Sequence, residues 1–131
     1  MKITQLLTPM SEVRWLAVTD TVRDAFDHME TYELGAAPLL DWQGRYVGTI
    51  TEADLRRHVA YARDRAVAFT TPLAAVERRS TNIAVATDRS VDSVAELAAG
   101  HCFVPVVDPT GKLVGIVDRH SILGTRVPSA A

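Results

Sequence analysis

Apolar residues recur along this chain in two rhythms. Short runs, partly β-branched, mark candidate strands: Val13 to Val18, Ala37 to Leu40, Ile83 to Ala86 and Val104 to Val107. Between them apolar residues fall at helical spacing. Val22, Ala25, Phe26 and Met29, with Tyr32 beyond them, share one helix face. Leu55, Val59 and Ala62 share another, and Val91, Val94, Leu97 and Ala98 a third. Ile3, Leu6 and Leu7 predict a short N-terminal helix that Thr8-Pro9 stops. The caps agree with this phasing. Thr21 with Asp24, Thr51 with Asp54, and Ser90 each stand before a predicted helix, where a side-chain oxygen takes an otherwise unpaired N–H. Arg56, Arg57, Arg63 and Arg65 ride on the outer face of the helix after Thr51 or just beyond it. Residues 63–80 read as a linker in which Thr71-Pro72-Leu73 opens a short helix to Val76.

Turn chemistry then exposes a repeat. Asp41-Trp42-Gln43-Gly44 closes a hairpin between Ala37–Leu40 and the return strand Arg45 to Ile50. Asp suits the first turn position because its carboxylate accepts local N–H groups, and Gly suits the last, where φ is often positive. Gly48, without a side chain, permits a close approach. The same grammar returns from Val104 to Val117. Pro38/Pro105, Asp41/Asp108, Gly44/Gly111, Val47/Val114 and Gly48/Gly115 are identical pairs, so the chain is a tandem repeat. The copies differ in two places. Ala99-Gly100-His101-Cys102 is a tighter helix-to-strand turn than its counterpart, and Asp118-x-x-Ser121 stands where the first copy has Thr51-x-x-Asp54.

The pattern P-h-h-D-x-x-G-x-h-h-G-h-h-[TS]-x-x-D after a helix resembles the cystathionine-β-synthase (CBS) domain. Two copies resemble a CBS pair of the small stand-alone bacterial type, from roughly Leu7 to Leu123. The implied fold class is α+β: tandem β-α-β-β-α repeats packed by pseudo-twofold symmetry. Residues 1–62 would form repeat one with the N-terminal helix, 63–80 the linker, 81–125 repeat two and 126–131 a tail. A small three-stranded sheet cannot cover both its faces. Two copies stacked sheet on sheet, helices outside, would bury a common core and leave two symmetric clefts.

Composition narrows the classes. Of 131 residues, 47% are hydrophobic and 23% charged, as in soluble globular proteins. The net charge of −2 lends no support to a nucleic-acid or membrane-surface role. No apolar run approaches a membrane span, and MKITQLLTPM lacks the apolar core of a signal peptide. A single cysteine, Cys102, forms no internal disulfide, and a reducing cytoplasm is the expected compartment.

Thr51 and Asp54 are the sharpest site candidates. The resemblance implies that the carboxylate accepts from ribose hydroxyls, that Thr51 touches ribose or phosphate, and that the helix N-terminus favours the phosphate. The same spacing is also an ordinary capping box, and both uses are compatible. Gly35-Ala36-Ala37-Pro38 would leave room for a flat base, or simply pack tightly, and Val18 would face the base or the core. Ser121 lacks the carboxylate, so the second cleft is expected to bind weakly or not at all. Arg119 and His120 would reach phosphates held by repeat one, or else be a solvated helix end. The candidate ligands are AMP, ADP, ATP and cyclic di-adenylate, with no required cofactor.

The implied function is a regulatory adenine-nucleotide sensor without catalysis, acting on a protein target the sequence does not name. The alternative is a ligand-independent dimerisation or scaffold module. Apolar sides of the last helices around Leu55, Val59, Ile122 and Leu123 would join two copies as a homodimer. Catalytic signals are absent from the sequence. His28, His58, His101 and His120 have no partner at metal-ligand spacing beyond the adjacent His101-Cys102, whose side chains would point to opposite faces of a strand. No P-loop, G-x-S-x-G or H-E-x-x-H occurs. Cys102 reads as a small buried or edge residue, and Trp15 and Trp42 are too separated for a nucleic-acid stacking platform.

Overall fold

The computed structural model describes residues 1–79 and 81–126; the tail expected over 126–131 lies almost wholly outside them. The chain forms two compact units. One holds Arg14–Gln43 and Val47–Thr81; the other holds Met1–Val13, Gly44–Tyr46 and the described residues from Asn82 on.

In the first unit, strands β2 (Leu16–Ala17), β3 (Ala36–Leu40) and β4 (Tyr46–Thr51) form a sheet in that order. Leu16 lies opposite Leu39 and Ala17 opposite Leu40, in parallel. Helix α1 (Val22–Thr31) makes the crossover. Its start is reciprocal: Asp24 N donates to Thr21 Oγ1 at 3.2 Å, and Thr21 N donates to Asp24 Oδ2 at 3.0 Å. Helix α2 (Glu52–Ala60) follows β4. Leu16, Val22, Ala25, Met29, Leu39, Ile50, Leu55 and Leu73 fill the core. The stretch read as a linker carries a further helix, α3 (Arg65–Thr70), capped by Asp64, whose Oδ1 accepts from Ala66 N at 2.9 Å. The turn expected after Pro72 is a 3-10 helix, Leu73–Ala75, with Pro72 at its N-cap rather than inside it.

The second unit has a four-stranded sheet of β1 (Thr8–Pro9), β7 (Leu113–Asp118), β6 (Phe103–Val107) and β5 (Val85–Ala86), in that order. Strand β5 is parallel to β6, and β7 is antiparallel to both β6 and β1. Helices α4 (Val91–Ala98) and α5 (Arg119–Arg126) belong to this unit, with Val91, Val94, Val104, Val106, Val117 and Ile122 in its core. The N-terminal segment, grouped with repeat one by its place in the sequence, makes its contacts here. Its 3-10 helix Ile3–Leu6 buries Ile3 in this core, Ile3 N donates to Arg89 O at 2.9 Å, and Thr8 and Pro9 lie opposite Ile116 and Gly115.

Both hairpin turns follow their sequence pattern. Gly44 and Gly111 take φ of 79° and 88°. Asp41 Oδ1 accepts from Gln43 N, and Asp108 Oδ1 accepts from Thr110 N, each at 2.9 Å. Gly115 serves the close approach: a Cβ there would lie 2.3 Å from Thr8 O.

One expectation fails. Leu55 and Ile122, counted as exposed apolar positions for a dimer contact, are both 0% exposed and belong to the cores of their own units. Of the four residues, Val59 is half-buried and Leu123 exposed.

Candidate functional site

The candidate site is built on the start of α2. Thr51 has extended backbone, so its hydroxyl faces the free N–H groups of the first turn. Asp54 N donates to Thr51 Oγ1 and Thr51 N donates to Asp54 Oδ2, both at 3.1 Å. This is the box already seen at Thr21 and Asp24, but Asp24 is exposed and Asp54 is 2% exposed. Asp54 also uses its second oxygen. Arg57 Nη2 donates to Oδ1 at 2.5 Å, and Arg79 N donates to the same atom at 3.3 Å. Burial pushes the Asp54 carboxyl up. The N–H groups of Thr51 and Arg79, with the Thr51 hydroxyl and the Arg57 guanidinium, outweigh burial and hold it below the ordinary 3.8. The site therefore contains a buried carboxylate that stays charged.

Glu52 N donates to Gly35 O at 2.9 Å, which fixes the start of β3 beside the start of α2. Ala36 is half-buried there, while Ala37 and Pro38 are buried within the strand. Val18 is not brought to this place. Its N–H bonds Leu40 O at 3.1 Å, so it lies at the opposite end of β3, and its side chain packs against the core. Arg119 and His120 stand at the start of α5 in the other unit, where Arg119 N donates to Cys102 O at 3.1 Å. Arg119 is half-buried, and His120, Ser121 and Cys102 are exposed.

Two residues escaped the sequence reading. Helical spacing puts Arg57 on the outer face with Arg56, yet within the helix Arg56 alone pairs with Glu52 in solvent. Arg57 turns back to Asp54, and its side chain is 21% exposed. The three-residue spacing from Asp54 was the available signal. Arg79, in the stretch read as a linker, had none. Both residues line a cavity of about 340 Å³ together with His58, Tyr61, Ala62 and Glu77. Among the described residues no cluster of His, Cys, Asp and Glu could hold a metal, and no helix is long and apolar enough to cross a membrane.

Two small α/β units of like strand and helix order, each with a hairpin closed by Asp and Gly, make a tandem-repeat fold of two sheets. The CBS domain model matches residues 3–61 and 74–127, and the chain belongs to the CBS domain family, as a CBS pair. No curated protein matches it by sequence. Among solved structures, it resembles CBSX2 in complex with AMP (TM-score 0.78, 20% identity, covering 95% of this chain and 94% of that one). CBSX2 is an Arabidopsis thaliana protein. CbpB in complex with c-di-AMP is similar at TM-score 0.83 and 17% identity, covering 95% and 83%. A CBS domain pair/ACT domain protein from Thermotoga maritima matches at 0.79 and 20%, over 100% of both chains. At these identities the likeness is one of fold.

Proposed function

We propose that this chain is a regulatory sensor of adenine nucleotides with no catalytic activity of its own, acting in the cytoplasm on a protein target. The ribose diol would be taken by Asp54, with Thr51 beside it and the backbone around Gly35 and Ala36 at the base. The observation that carries the proposal is the second oxygen of Asp54. A cap needs one carboxylate oxygen, and Asp24 serves α1 in that way. Asp54 Oδ1 instead holds a side-chain donor, Arg57, that a ribose hydroxyl can replace without disturbing the cap. The solved complexes of CBSX2 with AMP and of CbpB with c-di-AMP support the ligand class.

Association of two copies is part of the proposal. Val59 and Leu123 are the positions left for it on α2 and α5. The test is an equilibrium-binding panel of AMP, ADP, ATP, cyclic di-adenylate and S-adenosylmethionine against the purified chain. Saturable binding of at least one adenine nucleotide is expected. Binding of none at millimolar concentration would leave the scaffold reading in its place.

A further inference from the structure

We infer that residues 77–79 are a latch: the Arg79 N–H holds the Asp54 oxygen that the ligand's ribose takes, so that binding releases this arm of the chain. For its ligand the latch rests on the nucleotide reading above. The arm starts from Val76, buried in the core of its unit, and ends shortly before Asn82, where the chain enters the other unit. Between them Glu77 and Arg79 are exposed, Arg78 is half-buried, and none of the three is in a helix or strand.

Two contacts hold the arm. Arg79 N donates to Asp54 Oδ1 at 3.3 Å, the only hydrogen bond of residues 77–79 among the described residues. The Arg78 guanidinium lies against bare backbone at Gly48, where a Cβ would come within 2.9 Å of Nε and 3.2 Å of Cζ. No carboxylate pairs with it among the described residues. The other repeat shows a fixed arm at its own close-approach glycine. There Leu7 and Thr8 lie against Gly115, and Thr8 and Pro9 pair with β7 as a strand. The described residues of the arm at Gly48 lack that pairing, so little keeps it in place once Arg79 N lets go. Asp54 decides when that happens. Its Oδ1 takes Arg57 Nη2 at 2.5 Å and Arg79 N at 3.3 Å, so both lone pairs are in use. A ribose diol brings two donors and would displace both. Arg57 stays attached to α2, whereas the Arg79 bond is long, comes from an uncharged donor, and takes its arm with it. Such coupling is reciprocal: whatever loosens the arm tightens the ligand.

The experiment is limited digestion with trypsin, the cut after Arg79 followed by mass with and without saturating AMP, beside calorimetric titration of AMP. It uses the parent chain, Asp54→Ala and Arg78→Ala. In the parent, AMP should speed the cut after Arg79 about fivefold or more and leave the cut after Arg65, outside the arm, unchanged. Asp54→Ala should be cut fast after Arg79 without AMP. Arg78→Ala keeps the Arg79 N–H and leaves Asp54 alone. It should be cut faster than the parent without AMP and should bind AMP about threefold or more tighter. AMP that binds but slows the cut, or leaves it unchanged, would overturn the latch and leave the nucleotide reading intact. So would an Arg78→Ala that binds AMP no tighter, or a folded Asp54→Ala cut no faster than the parent. If the parent binds no AMP in the calorimeter, the nucleotide reading fails, and the latch, which needs that ligand, falls with it.

Discussion

At the scale of single residues, Asp54 and Asp24 are a built-in comparison. Both close a capping box, and only Asp54 is buried with a guanidinium on its second oxygen. Because the folded carboxyl is held below its ordinary 3.8, its stabilising contribution is complete above that value. It is lost as pH falls through the lower folded value. Asp54→Asn should therefore cost about 1–3 kcal/mol near neutral pH, since Arg57 loses a charged acceptor. Urea unfolding should show the gap to the parent closing in acid, below the ordinary 3.8. Asp24→Asn should stay within about 0.5 kcal/mol, because Asn caps nearly as well as Asp. A constant gap for Asp54→Asn across this range would mean that its charge does no work. The spacing Thr51-x-x-Asp54 was legible in the sequence, and so was its cap. The second oxygen was not, because Arg57's turn toward Asp54 depends on burial, and the approach of Arg79 on chain packing far along the sequence.

At the scale of elements, patterns that carry their own local physics were legible. The hairpin turns, the caps at Thr21, Thr51 and Ser90, and the inward faces of α1 and α4 were predicted from short stretches and are found. Strand ends were not. Val13–Val18 and Ile83–Ala86 pair only at Leu16–Ala17 and Val85–Ala86, although β3 and β6 run on, because the next residues on those strands, Pro38 and Pro105, have no N–H to give. Helix α3 escaped because a six-residue helix is too short to announce itself by periodicity and holds by Asp64 and by packing against α1 and α2. The close approach expected at the Gly48/Gly115 pair has its plainest partner at Gly115, where β1 crosses. Gly115→Ala should cost about 1–3 kcal/mol, because the new Cβ meets the Thr8 backbone, which cannot swing aside, as well as the Leu7 side chain. Thermal unfolding reads this directly, and an unchanged midpoint would mean that β1 contributes little to the fold.

At the scale of the whole molecule, the repeat was the strongest signal in the chain. Identity at turn and close-approach glycines marks the two copies without reference to any site. The assignment of the N-terminal segment was not legible, because β1 finds its partner, β7, across most of the chain. Nor was the fate of Leu55 and Ile122, since helical spacing says which residues share a face but not which face the sheet takes.

In the proposed function, Asp54 of the first repeat holds the ligand and Ser121 of the second does not. The most direct measurement is the AMP affinity of parent, Asp54→Ala and Ser121→Ala by calorimetry, each variant first shown to be folded by its thermal midpoint. Loss of a charge-assisted bond to the ribose predicts a drop of roughly ten- to a hundredfold for Asp54→Ala and near-parent affinity for Ser121→Ala. A folded Asp54→Ala that binds as tightly as the parent, or a loss confined to Ser121→Ala, would contradict the account.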